Sequence, residues 1–397
     1  MPQEQPNPFV DPYPGYQWMR AQGPVFWDTK TERWIVVGYS EVVSALRDPR
    51  FSAERMSLGW LSDATQGDLH ILVSALASQM LFQDPPDHTR LRALVSKAFS
   101  ARTIDSMRPR IQMITDDLLD RATESGQMDL IQDLAYPLPI TVIAEMLGVP
   151  IEDRDKFKRW SDDFITFISH IANPDQDMRT LQSVLELTEY FRKIIADVKE
   201  HPKDDLLSAL AAAEERGDVL SEEELLSNCM LILAAGHETT INLIGNGMLA
   251  LLTHPDQKQK LRDNTALIAP AVEEFLRYDS PVQWTGRILK GDVELGGQSL
   301  RTGQGVNFCL GAANRDPAQF SDPETLDITR AENKHIAFGF GTHFCLGAAL
   351  ARLEGQVAIG TLLARFPNLK LAVDSSELKW HENYTFRGLC SLPVSLG

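Results

Sequence analysis

The segment "FGFGTHFCLG", Phe338 to Gly347, holds one of only four cysteines in a chain of 397 residues. A packed structural cysteine needs no glycines beside it. Gly339, Gly341 and Gly347 instead predict a tight loop whose backbone approaches something closely. The following "AALARLEGQVAIGTLLARF" carries apolar positions at helical spacing, so Cys345 enters the N-terminus of a long helix. There the helix dipole and its unpaired N–H groups favour an anionic sulfur, the form of cysteine that binds and reacts.

Other residues with chemical potential lie upstream. In "LILAAGHETTINLIG", Ala235 and Gly236 remove bulk from a bulky helix, and Glu238 and Thr239 set an acid and a hydroxyl beside the gap. Small residues let a flat ligand lie against the backbone, and a mid-helix threonine can bond a carbonyl and open the helix locally. In "AVEEFLRYDSP", Glu274 and Arg277 share a helix face three residues apart. On a surface that pair contributes only ~0.3–0.5 kcal/mol. In "DPPDHTRLRALVSKAF", His88 and Arg92 share one face of a helix, while Arg90 and Lys97 fall roughly opposite. One basic pair suits an anionic ligand and the other faces outward.

These residues need a scaffold, and the chain is long enough to bury a large core. Its net charge of −17 disfavours nonspecific binding to nucleic acid or anionic membranes. Cys229, Cys309, Cys345 and Cys390 lack the clustered spacing of a zinc site or a disulfide framework, which points to a reducing, cytoplasmic setting. The proline-rich N-terminus lacks a signal peptide's apolar core, and "CMLILAAG" is far shorter than the ~20 residues of a membrane span.

"VFWDTKTERWIVVG" predicts a hairpin, and Asp87 to about His254 reads as mostly helical. "DVELGGQSLRTGQGVNFCLG" returns to short strands, and "DPAQFSDPETLDITRAENKH" is an irregular meander. Strand-like pieces are expected around Tyr384 to Leu389. The predicted fold is mainly α with a small β portion (α+β), as a single domain over residues 1–397.

Taken together, the order and spacing of these motifs resemble the cytochrome P-450 superfamily in its soluble bacterial form. The likeness runs from Pro24 to Val394 and includes Arg287, "ANRDP" (Ala313–Pro317) and "FSDPETLDITR" (Phe320–Arg330). The cysteine loop matches FGxGxHxCLG at every fixed position, and Leu289 stands where many relatives carry alanine. The resemblance implies that Cys345 is the axial thiolate of a haem b iron, with loop N–H groups moderating its charge. It implies that His88, Arg92, Arg287 and His343 bind the haem propionates, with Ala235 and Gly347 also at the cofactor. Glu274 and Arg277, with Arg330 or His335, would form a structural network behind the haem.

The activity implied is a monooxygenase that hydroxylates or epoxidises a lipophilic small molecule with dioxygen. Thiolate donation favours O–O cleavage, for which cytochromes P450 are the type case. Glu238 and Thr239 would deliver the protons. Electrons would come from a ferredoxin or flavodoxin with its NAD(P)H reductase, docked on the side of Cys345, where Arg90 and Lys97 offer positive charge. A peroxide-driven peroxygenase and a non-catalytic haem ligand-binding protein are the alternatives, and the intact acid–alcohol pair disfavours both. The implied substrate pocket takes Leu231, Ala234, Val282, Gln283 and Phe386, with the segment before Gln83, Phe164 to Ile171, and Tyr384. Its apolar character favours a polyketide, terpenoid, steroid or fatty acid. The expected assembly is a monomer.

Overall fold

A computed structural model describes residues 7–55, 69–96, 99–123, 126–168, 174–203, 206–212, 214–215 and 218–397. Two compact units emerge, one of Met1–Phe51, Met107–Leu138 and Thr239–Gly397, the other of Ser52–Ser106 and Pro139–Glu238. Both are dominated by helices, and the strands are short, in agreement with the predicted α+β class.

The helices are α1 (Tyr13–Ala21), α2 (Tyr39–Ala45), α3 (Leu69–Ala77), α4 (Asp87–Ser96), α5 (Ala101–Ser106), α6 (Arg108–Thr123), α7 (Pro137–Met146) and α8 (Arg154–Ile168). They continue with α9 (Pro174–Glu200), α10 (Leu206–Ala211), α11 (Glu222–Thr253), α12 (Pro255–Asp263), α13 (Ile268–Tyr278), α14 (Leu310–Ala313) and α15 (Ala348–Arg365).

In the first unit, β1 (Val25–Asp28) and β2 (Arg33–Val36) form the predicted hairpin, pairing Val25 with Val36 and Asp28 with Arg33. The Asp28 carboxylate accepts the Thr31 hydroxyl at 2.6 Å and the Lys30 N–H at 3.1 Å, which closes the turn. Next along the chain come β3 (Phe51–Ser52), β4 (Gln127–Asp129), β5 (Glu214–Glu215) and β6 (Asp218–Val219), the last two in the second unit, then β7 (Trp284–Leu289), β8 (Val293–Leu295), β9 (Gln298–Leu300) and β10 (Gly305–Cys309). β10 lies between β2 (parallel) and β7 (antiparallel), in the order β1-β2-β10-β7-β3. Val25, Val36, Phe51, Leu289, Val306 and Phe308 bury their side chains on it. "LGGQ" turns β8 into β9 with Gly296 and Gly297 at φ 57° and 77°, a conformation that favours glycine twice over.

The last strands, β11 (Lys370–Leu371) and β12 (Pro393–Ser395), join β4 in the order β11-β12-β4. The strand-like pieces expected at Tyr384 to Leu389 are instead isolated bridges, Val282 with Phe386 and Trp380 with Leu389. The Asn383 side chain accepts the N–H groups of Thr385 and Phe386, drawing that backbone into a turn rather than a ladder.

The first unit also packs α15 against α6 and α13. Helix α13 buries Ala271, Val272, Phe275 and Leu276 together with Glu274 and Arg277, so its inward face is apolar except for one ion pair. In the second unit α8 packs along α9, with Phe157, Trp160, Tyr190 and Phe191 meeting edge to face or tilted at centroid distances of 5.1–6.2 Å.

Candidate active site

The first unit carries the cysteine loop. Gly339 and Gly341 have φ of 71° and 74°, a region costly for any residue with a Cβ. At Gly341 a Cβ would stand 2.3 Å from the Leu46 carbonyl oxygen, so the loop is pressed against the backbone that ends α2. The Cys345 N–H donates to the Phe338 carbonyl at 2.9 Å and the Gly339 N–H to Ile336 at 2.9 Å. Arg47 lies over the Phe340 ring at 4.4 Å and Arg352 over Phe338 at 4.5 Å, pinning both aromatic ends.

Cys345 is half-buried. Gly347 is the N-cap of α15 and brings no side chain to its first-turn N–H groups, which stay available to an anionic sulfur. A Cβ on Gly347 would lie 4.0 Å from the Cys345 Sγ, so the sulfur sits at the mouth of the helix. Burial pushes the Cys229 and Cys309 thiols up to about 12, which keeps both protonated and inert.

Arg287 is buried on β7 opposite Val306, with its Nη1 donating to Gly286 O at 2.7 Å and Thr285 Oγ1 at 3.3 Å. His343 is half-buried in the short helical turn Gly341–His343.

Behind the loop, Glu274 and Arg277 form a bidentate pair with both contacts at 2.8 Å. Arg277 also donates to the carbonyls of Asn314, Pro323 and Thr325, binding the meander to α13. Arg330 is the third partner, at 3.2 Å from Glu274 Oε2, and Asn333 adds a bond of 3.0 Å. His335 goes instead to Glu273 at 3.0 Å, beside a fork from Arg352 at 2.7 and 2.8 Å. Burial alone would raise the Glu273 carboxyl, but these bonds outweigh it and hold it down to about 2.

The second unit carries α4 and the first part of α11. In α11, Leu231 and Ala234 are buried, whereas Ala235 is exposed amid buried neighbours. Gly236 has a different role from the one its sequence suggests. Its missing Cβ would stand 3.0 Å from Ile143 Cδ1 on α7, so the glycine admits a helix contact rather than a ligand. Glu238, half-buried, ends this unit's share of α11, and the half-buried Thr239 begins the first unit's share.

On α4, His88 is buried and Arg92 half-buried. Arg90 is ion-paired with Glu224 rather than presented outward as a free charge. Lys97 and Ile171 lie outside the described residues; Phe164 is buried on α8.

Val282 and Phe386, both half-buried, are brought together by their bridge. Gln283 has its amide occupied at both ends: Oε1 accepts the Tyr16 hydroxyl at 2.8 Å, and Nε2 donates to Ser280 O at 2.7 Å. Its side chain braces α1, whatever its backbone lines.

Three acidic or basic groups were not singled out by spacing. Glu354 on α15 is buried with neither oxygen hydrogen-bonded among the described residues. Burial raises its pKa to about 8, with the Thr240 hydroxyl a smaller downward influence. His237 and Asp162 cluster with Glu238, their ligand atoms all within 4.8 Å of one another. The signals existed: a glutamate in "ARLEGQ" on an apolar helix face, and a histidine beside the acid.

The residues present fit a haem. The first unit offers a sulfur beside a helix N-terminus that has no side-chain cap, in a loop pressed against backbone at Gly341. Comparison with known proteins agrees. The family model for Cytochrome P450 matches residues 26–383. Cytochrome P450 CYP107DY1 of Priestia megaterium is 46% identical over 91% of this chain and 89% of its own length. Cytochrome P450 monooxygenase PikC of Streptomyces venezuelae is 44% identical over 97% and 91%. The crystal structure of P450BioI with hexadec-9Z-enoic acid ligated acyl carrier protein superposes with a TM-score of 0.92 at 41% identity, covering 98% of this chain and 100% of that one. The chain therefore belongs to the cytochrome P450 family and is a haem-dependent monooxygenase.

Proposed function

We propose that this protein is a single haem b monooxygenase domain over residues 1–397 that hydroxylates or epoxidises a fairly large lipophilic molecule, a polyketide, terpenoid, steroid or fatty acid. The observation that carries the reading is Cys345, half-buried beside the uncapped N-terminus of α15 in a loop that admits only glycine at Gly341. When bound, a thiolate-ligated haem supplies the activation of dioxygen and the transfer of one oxygen atom to carbon.

The chain's own residues supply the rest. Cys345 would hold the haem iron through its sulfur, as the metal-binding residue. His88, Arg92, Arg287 and His343 neutralise the propionates, and Gly347 leaves N–H groups free to moderate the sulfur. Thr239 holds a water by its hydroxyl, and Glu238 moves protons to that water. Leu231, Ala234, Val282, Gln283 and Phe386 contribute to the substrate pocket. Ala235 leaves room for the flat cofactor.

The substrate class is supported by the names of relatives: a 6-deoxyerythronolide B hydroxylase is 38% identical and a vitamin D(3) 25-hydroxylase 43% identical. Electrons arrive from a ferredoxin or flavodoxin with its NAD(P)H reductase. Among the described residues no helix is long and apolar enough to cross a membrane.

The test is spectral. Reduced protein treated with carbon monoxide shows the red-shifted Soret band of thiolate ligation. Cys345→Ser loses that band, whereas Cys229→Ser, Cys309→Ser and Cys390→Ser keep it. An unchanged band in Cys345→Ser overturns the assignment. A panel of lipophilic compounds read by Soret shift then identifies the substrate.

A further inference from the structure

Beside the acid of α11 lies a histidine that the reading above leaves idle. His237 is fully buried, and its Nδ1 lies 2.9 Å from the Leu233 carbonyl. A carbonyl only accepts, so Nδ1 carries the proton and Nε2 presents a lone pair. Nε2 has no hydrogen-bond partner among the described residues. The imidazole, the Glu238 carboxylate and the Asp162 carboxylate all reach within 4.8 Å of one another. Asp162 stands on α8, is 46% exposed, and is paired with Lys158 at 2.7 Å. A buried base thus lies within 4.8 Å of both a partly exposed acid and the acid of the Glu238–Thr239 pair.

We propose that His237 is a positioning residue that relays protons from the solvent-facing Asp162 to Glu238. Nε2 accepts a proton from the Asp162 carboxyl, which takes its replacement from solvent, while Nδ1–H stays on Leu233. The imidazolium then releases a proton from Nε2 to a Glu238 oxygen, and the ring returns to its neutral form, so charge and protons balance at each pass.

Burial lowers the His237 pKa, whereas the negative charges of Glu238 and Asp162 raise it and Lys158 lowers it. The net direction is down, so the ring is neutral at rest and carries protons without storing them. The carboxylates facing it supply the counter-charge that makes a passing imidazolium tolerable. The proposal rests on Glu238 being the proton-delivering acid.

The test uses the haem-loaded enzyme with its best substrate, together with nitrogen-15 NMR of histidine-labelled protein. The His237 signal is assigned by its loss in His237→Gln. The expected signal is that of an Nδ1–H tautomer, with an apparent pKa that falls in Asp162→Asn. In turnover, His237→Phe and His237→Gln are about tenfold slower with a larger solvent isotope effect, the scale for a group acting through another residue. Substrate binding by Soret shift stays unchanged. Asp162→Asn, at a partly exposed position, slows turnover in the same sense but less. His237→Phe combined with Glu238→Gln is no slower than Glu238→Gln alone, because both lie on one route.

An Nε2–H tautomer, full speed in both His237 variants, or multiplicative losses in the double variant overturns the relay. Slow Glu238→Gln with fast His237 variants removes the relay and keeps Glu238. Fast Glu238→Gln removes the role of Glu238 and the relay with it.

Discussion

Arg277 meets Glu274 through two bonds of 2.8 Å with both side chains wholly out of solvent. An isolated surface pair at the same spacing contributes a few tenths of a kcal/mol, but here burial changes the stakes. The remaining guanidinium donors hold the carbonyls of Asn314, Pro323 and Thr325, and Arg330 and Asn333 share the carboxylate. The pair is therefore the joint between α13 and the meander leading to the cysteine loop.

Breaking that joint strands a buried charge. Arg277→Met and Glu274→Gln are each expected to cost about 3–5 kcal/mol. Chemical denaturation followed by circular dichroism measures this, and the purified variants are expected to hold little haem. Wild-type stability in either variant would show the pair to be dispensable.

Glu354 gives a stability that depends on pH. Its ordinary value of 4.5 is raised to about 8 by burial, so the folded state keeps it protonated where the unfolded chain releases the proton. The folded state then binds more protons between pH 4.5 and 8, and stability falls as pH rises through that window. Glu354→Gln removes the dependence. The advantage of Glu354→Gln over wild type is expected to be smallest near pH 4.5 and to grow by on the order of several kcal/mol by pH 8. Equal pH profiles in urea denaturation would refute it.

The glycines of the loop are not equivalent. Gly341→Ala places a Cβ 2.3 Å from the Leu46 carbonyl at positive φ, and backbone on backbone cannot yield cheaply. A loss of about 2 kcal/mol or more, with reduced haem content, is expected. Gly347→Ala meets only the Cys345 sulfur at 4.0 Å and has φ of −82°, so it keeps the stability of the fold. Thermal melts and haem-to-protein ratios compare the two, and equal behaviour would remove the steric account.

Thr239 and Glu238 are expected to fail differently. Thr239→Ala keeps most of its NADPH consumption but diverts it to hydrogen peroxide, because a water-holding hydroxyl is gone. Glu238→Gln slows turnover instead, because the proton source itself is impaired. Product and peroxide formed per NADPH separate the two. Unchanged coupling in Thr239→Ala would assign proton positioning to other groups.

Local chemistry was enough to locate the sulfur. A cysteine among three glycines before a helical apolar pattern can be recognised from the sequence because loop, cap and helix are set by neighbours a few residues apart. The same holds for the hairpin around Thr31, which its turn residues dictate, and for the short strands flanking Gly296. Long-range partners were not legible. The family resemblance left Arg330 and His335 open as third members of the Glu274 network, and only the folded meander gives Arg330 to Glu274 and His335 to Glu273, over separations of 56 and 62 residues. Gly236 read as space for a ligand, yet the packing of α7 places Ile143 against it. Arg90 read as an outward charge, yet α11 brings Glu224 to meet it. Burial of Glu354 and the meeting of Asp162 with His237 likewise depend on which helix lies opposite, a matter of tertiary packing that no single segment encodes.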